Sequence, residues 1–389
     1  MTKMFGSSYT TEYVLHKCFP SIPNVSERVT CEISPLENAR SFWSLIARMQ
    51  LRWKSEEDRA TQPSSFFIKL PTVSDNARNT DDDSQKSLAE TLCELTHAEE
   101  TFYRTMKNVH IPGFPYPHYY YGEEVNEIPG RQGCLVLEDF SGRASSADYI
   151  PGFSIPQAED LVDAIASWHA FVMRDRPDFC AAFECLDDIS EEFQVQQYTE
   201  SERLETLAPE WFAGKFAPIK KYFSLDHAYK AIRSYKEIGI PPILVHMDMN
   251  TTNVLWTKDA PKERPQIAAF IDFQQVHTGN ICEDLARIFQ LGLSLELRRE
   301  HEERLLMRYH AKLEEVLGKR NCPVTLEQVR TAYDRVFPFV ANFGLFAVSC
   351  YYDMYRDLEA DVVEREKKQR ELLWRAKGIV DDIHRIVGL

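Results

Sequence analysis

Residues 243–274 read ILVHMDMNTTNVLWTKDAPKERPQIAAFIDFQ, and the fold turns on them. Two short apolar stretches, Ile243–Val245 and Val254–Trp256, flank a polar loop, and a third, Ile267–Ile271, follows the turn KDAPKERP. Short apolar runs bounded by turn residues are expected as strands. The loop carries His246, Asp248 and Asn253 in the pattern H-x-D-x-x-x-x-N, and Asp272 ends the third run. A single Asp in a loop is most often a turn or cap residue. Here the Asp–Asn spacing, the flanking strands and the strand-borne Asp agree on one structure, a hairpin presenting three oxygen-bearing side chains.

That set suits phosphoryl transfer, which needs the γ-phosphate, a metal ion and the accepting oxygen held in line, with little covalent chemistry. Asp248 is expected as the base that takes or orients the hydroxyl proton. Asn253 and Asp272 are expected as the neutral and charged ligands of Mg²⁺, which uses few protein ligands plus phosphate oxygens.

Upstream, strands are expected within Ile33–Trp53, ending in SLIARMQLRW, and at Ser65–Val73. Residues 74–86 read as a polar loop, and 87–108 as a helix through Leu92, Leu95, Phe102 and Met106. Two more strands fall at Pro117–Gly122 and Cys134–Phe140. After Phe140 the spacing turns helical, first in 156–173 with Leu161, Ile165, Trp168 and Phe171 on one face, then in 189–236, 281–318, 325–355 and 357–386. A chain of 389 residues suits two lobes rather than one small core. The expectation is an α+β chain: a β-rich lobe over 1–140, a mainly helical lobe over 141–389 containing the hairpin, and a hinge near Ser141-Gly142.

The stretch from Ile271 to Leu285, I-D-F-Q-Q-V-H-T-G-N-I-C-E-D-L, completes a resemblance. With the H-x-D-x-x-x-x-N loop it resembles the small-molecule branch of the protein-kinase-like superfamily, which includes aminoglycoside phosphotransferases and choline kinases. It is most similar to the CHK kinase-like, or ecdysteroid kinase-like, group and its nematode members. The likeness covers about residues 30–355 and is most specific over 243–289. It implies a bilobal protein-kinase-like fold, with ATP and Mg²⁺ as cofactors. It implies that Lys69, in FFIKLP, contacts the ATP phosphates and pairs with a glutamate of the next helix. That glutamate is Glu99, with Glu100 the open alternative; without the resemblance Lys69 would read as a strand-edge lysine with its head in water. The strand ending at Phe140 would lead to the hinge, with backbone near Glu138 and Asp139 holding adenine. Asp284 would steady the catalytic loop through its backbone, and His246 and His169 would be packing residues. One departure stands out: the phosphate-covering segment, about 33–44, holds no glycine to let backbone approach phosphate closely. Ser34, Ser41 and Ser44 are the hydroxyls available there.

About nine residues separate Asp272 from Ile281, too few for a peptide-docking activation segment. About 110 residues between the hinge and Asp248 leave room for helices around a small acceptor. The expected activity is therefore ATP-dependent phosphorylation of a hydroxyl on a small molecule: a steroid-like alcohol, a xenobiotic or another metabolite. Aromatics supply 12% of the chain, and residues 168–173, 210–216, 337–346 and 351–355 are candidate pocket walls or plain core. A pseudokinase-type binding module is the alternative, motivated by the missing glycines. A His/Asp hydrolase lacks a nucleophile elbow, and a zinc enzyme lacks clustered ligands.

A net charge of −15 disfavours nucleic acid and anionic membrane as partners. The start MTKMFGSSYTTEY lacks the apolar core of a signal peptide, and nine scattered cysteines read as reduced thiols. A cytoplasmic location with no obligate protein partner is expected.

Overall fold

The computed structural model describes residues 3–36, 43–72, 82–128, 130–183, 191–261 and 263–389. Two compact units emerge: one of Met1–His110, Tyr116–Ser145 and Ile271–Gln275, the other of Ile111–Pro115, Ser146–Phe270 and Val276–Leu389. Asp272 thus belongs to the first unit although the strand leading to it belongs to the second.

The first unit is a five-stranded antiparallel sheet of β1 (Val29–Pro35), β2 (Ser44–Trp53), β3 (Ser65–Pro71), β4 (Tyr119–Glu123) and β5 (Cys134–Glu138), ordered β1-β2-β3-β5-β4. The central β3 is buried along nearly its whole length, as a strand covered on both faces must be, so FFIKLP reads as a continuous apolar run. Ala47, Met49, Leu51, Phe66, Ile68 and Val136 form its core. The sheet begins at Val29, ahead of the expected Ile33. The helix Asp82–Met106 begins inside the segment expected as loop. The rest of that expected loop, like residues 37–42 with Ser41, lies outside the described residues.

A short helix, Thr11–Cys18, precedes the sheet; the Thr10 hydroxyl caps it by accepting from the Tyr13 amide. Tyr9 and Tyr121 donate their phenols to the buried carboxylate of Glu123 at 2.7 Å each, and Tyr13 does so at 3.1 Å. Arg131 adds an ion pair at 3.1 Å. Burial raises the Glu123 carboxyl, but these donors outweigh it and hold the group below its ordinary value. Phe19 then stacks on Phe66, ring centroids 5.5 Å apart.

After the short strand β6 (Ala144–Ser146) the second unit is mainly helical. Ser154 and Gln157 form a capping box at the start of Ile155–Asp175, with Pro156 in the first turn. Leu161, Ile165 and Trp168 are buried, as the spacing requires. Long helices follow at Leu295–Leu317, Leu326–Leu358 and Val362–Val387. Set among them are β7 (Ile243–Val245), β8 (Val254–Thr257), β9 (Ile267–Phe270) and β10 (His277–Gly279). β7 pairs antiparallel with β10, and β8 with β9. The chain is α+β, with a strand-rich amino-terminal sheet and a helical carboxy-terminal part.

Candidate active site

The loop from His246 to Asn253 joins β7 to β8, and its shape is fixed from below by Asp284. The Asp284 carboxylate accepts the amides of His246 at 2.9 Å and Met247 at 2.8 Å. Asp284 is wholly buried, and burial pushes its carboxyl up while the two amides pull it down. The His246 ring takes the Asp248 amide at 3.2 Å, a loop-packing role. Met247 sits in the left-handed region at φ 65°. A non-glycine residue there is strained, and such strain gathers at functional sites.

Asp248 emerges from this cradle with a side chain 12% exposed. Its Oδ1 accepts from Asn250 at 3.0 Å and from Arg287 at 3.2 Å, and its Oδ2 accepts from Asn253 at 2.9 Å. Asn253 also donates to the Asp248 carbonyl at 2.9 Å, so its amide nitrogen is committed. Its oxygen receives only a long contact from the Thr252 hydroxyl, at 3.4 Å. The amide is thus oriented as an oxygen ligand would be. Asn250 and Arg287 are members the sequence reading missed. Arg287 could have been found, because it follows Asp284 by three residues on the same helical face.

In the first unit, β3 carries Lys69, which is 6% exposed. Its ammonium donates to Glu99 Oε2 and to Asp272 Oδ1, both at 2.6 Å. Glu100, the neighbour, instead accepts the Tyr119 phenol at 2.6 Å and pairs with Arg104. Burial alone would lower the Lys69 ammonium; Asp272 and Glu99 outweigh it and raise it. Glu99 is raised by burial, with Lys69 pulling it back. Phe273 stacks on Phe102, ring centroids 3.6 Å apart, one helical turn beyond Glu99. That stack anchors Asp272, itself at φ 68°. Two carboxylates share one ammonium, so the cluster carries excess negative charge. Asp272, with its side chain 28% exposed, can offer that charge to a cation.

Each unit by itself offers one hard oxygen donor of the kind Mg²⁺ takes, the Asp272 carboxylate in the first and the Asn253 amide oxygen in the second. Among the described residues no group of three or more His, Cys, Asp or Glu could hold a metal.

Glu138 and Asp139 are less open than expected. The Glu138 amide donates to the His118 carbonyl at 2.9 Å, and the Asp139 carbonyl accepts from Arg143 at 3.2 Å. The Asp139 carboxylate is tied to Arg48, Ser65 and Ser141. Burial raises it, and these donors hold it below its ordinary value. His169 is fully buried against the Tyr309 hydroxyl at 2.7 Å, and His277 faces Glu283 at 3.0 Å. No disulfide joins the cysteines among the described residues. No helix among them is long and apolar enough to cross a membrane.

The family profile DUF1679, described as "Uncharacterized oxidoreductase dhs-27", matches residues 28–387. The chain is 32% identical to the "Uncharacterized kinase-like protein D1044.1" of Caenorhabditis elegans, over 95% of this chain and 97% of that one. It is 25% identical to "Uncharacterized oxidoreductase dhs-27" of the same nematode, over 86% of this chain but only 41% of that longer one. Among solved structures, choline kinase from Cryptosporidium parvum aligns with a TM-score of 0.53 at 14% identity, covering 96% of this chain and 97% of that one. At that identity the likeness speaks for the fold.

Proposed function

Since this chain belongs to the DUF1679 family, we propose that it is a phosphotransferase that moves the γ-phosphoryl group of Mg²⁺-ATP onto a hydroxyl of a small molecule. The observation that carries this reading is Lys69, a buried lysine bonded at once to Glu99 and Asp272. A buried ammonium with two carboxylates is costly to assemble unless it has a task. Holding nucleotide phosphates beside a metal-binding carboxylate is such a task. The oxidoreductase name belongs to a relative of which 41% is matched, and it is not carried over.

In this reading Lys69 binds phosphate oxygens and Glu99 keeps its ammonium in place. Asp272 and Asn253 would each give an oxygen to Mg²⁺, which would neutralise charge on the phosphates when bound. Asp248 orients the acceptor hydroxyl and takes its proton. The bond from the γ-phosphorus to the bridging oxygen breaks, a bond to the acceptor oxygen forms, and ADP leaves. Asp248 Oδ2 accepts one hydrogen bond, from Asn253, and keeps a lone pair for that proton. Asn250 and Arg287 fix the other oxygen. The Glu138 amide, already paired, is left out of adenine binding.

The test is ADP release from ATP by the full chain across an alcohol library, with Mg²⁺ and with chelator. Metal-dependent turnover that rises with a particular alcohol supports the reading. Tight nucleotide binding without turnover on any alcohol would replace it with the binding-module alternative.

A further inference from the structure

Arg287 is the largest unsettled group beside Asp248. It is 1% exposed, and Nη2 donates to Asp248. Nε and Nη1 are buried without a hydrogen-bond partner. Its guanidinium carbon lies 3.9 Å from the centroid of Phe343, which closes one face of the plane. Tyr149 is also buried with an unpartnered hydroxyl, and its ring stacks on Tyr351 at 4.0 Å. Burial raises the Tyr149 phenol, Tyr351 and Asp248 add to this, and Arg287 and Arg375 oppose it, so these groups share one electrostatic neighbourhood. Phe343 and Tyr351 are half-buried, whereas Trp168, from another aromatic segment, is core. A buried cation with idle donors is unfavourable until an oxygen satisfies it.

Resting on the assignment of Asp248 as base, we propose that Arg287 selects the acceptor: a hydroxyl compound with a second oxygen on the adjacent carbon and a flat apolar flank. Adjacent guanidinium nitrogens are about 2.3 Å apart in a fixed fork. Because Arg287 is bonded to Asp248, charge-assisted hydrogen bonds from Nη1 and to Asp248 call for two substrate oxygens close together. That is the spacing of a vicinal diol or an α-hydroxy acid. The flank lies on the Tyr149–Tyr351 stack. A quaternary ammonium in place of the second oxygen meets like charge and is rejected.

Four probes are offered to the full chain with Mg²⁺-ATP: mandelate, phenylethylene glycol, phenylethanol and choline. The expected result is that mandelate or phenylethylene glycol exceeds phenylethanol in kcat/KM by about tenfold or more, with choline inert. Which of the two leads tells whether the second oxygen is anionic or neutral. Arg287→Met collapses that ratio, and Arg287→Lys, which keeps charge without the fork, retains part of it. A merely structural Arg287 would lower all acceptors together and leave the ratio standing, which would overturn the proposal. Phenylethanol equal to the diol, or choline preferred, would overturn it too, with the phosphotransferase reading intact. If no alcohol in any library draws turnover, the base assignment fails and takes this inference with it.

Discussion

The two units hold their candidate residues by different physics. In the first, Lys69, Glu99 and Asp272 meet across sequence separations of 30 and 203 residues, and unlike charges hold them together. In the second, Asp248 lies in a loop shaped mainly by backbone amides on Asp284 and by neutral amide side chains two and five residues from Asp248, with Arg287 its charged partner. A charge cluster answers strongly to the loss of one member and to an incoming cation. A hydrogen-bonded loop fixes geometry and answers weakly to salt. The first arrangement suits binding a charged nucleotide, and the second suits placing one oxygen lone pair.

Asp248→Asn breaks the comparison at its most sensitive point. The amide keeps the size and most contacts but loses the basic lone pair. Turnover should fall by about 10³-fold, within the usual range for a lost general base, with the folded circular-dichroism spectrum retained and the melting temperature lowered because buried Arg287 loses its counter-charge. Near-wild-type turnover would remove Asp248 from the chemistry. Next comes Lys69→Met, which leaves Glu99 buried without a counter-charge. Urea denaturation should show a loss of about 3–5 kcal/mol. Adding Glu99→Gln should return part of it; no recovery would mean that packing rather than charge holds the triplet. Asp284→Ala strips two buried amides of their acceptor and should cost about 2–3 kcal/mol, with turnover falling further than Asp284→Asn, which retains one oxygen. If both variants match wild type in turnover, the cradle is not what positions Asp248.

The smallest effect concerns pH. Burial holds the His169 imidazole down at about 3, against an ordinary value near 6.5. Below about pH 6.5 the unfolded chain therefore binds a proton that the folded chain refuses. Stability should fall with acid through that window, by about 2 kcal/mol between pH 6.5 and pH 5. His169→Gln should flatten that limb of the pH–stability curve. An unchanged limb would place the acid sensitivity elsewhere.

The same contrast sets what the sequence could disclose. The loop of Asp248 and Asn253 is local, so its spacing and flanking apolar runs are visible on one line of text. The helical spacing through Leu161, Ile165 and Trp168 was equally plain. Lys69 and Glu99 emerged only through family resemblance, because nothing local marks a lysine's distant partner. Arg287 was within reach as the residue one turn beyond Asp284, but its two idle nitrogens are encoded by no pattern. The helix start at Asp82 was missed because aspartates serve loops and helix entrances alike. Backbone near Glu138 and Asp139 is expected at adenine by resemblance alone, and the sequence gives no sign that the Glu138 amide bonds across to His118.

The strap formed by Tyr9, Tyr13 and Glu123 has a practical corollary for anyone cutting or tagging this chain. A version started after Tyr13 would strip two of the three phenols from a carboxylate in the interior of the sheet unit. The harm would surface as poor solubility rather than as a damaged catalyst. Handles for purification are therefore safer at the far terminus, and the opening residues count as masonry rather than trim.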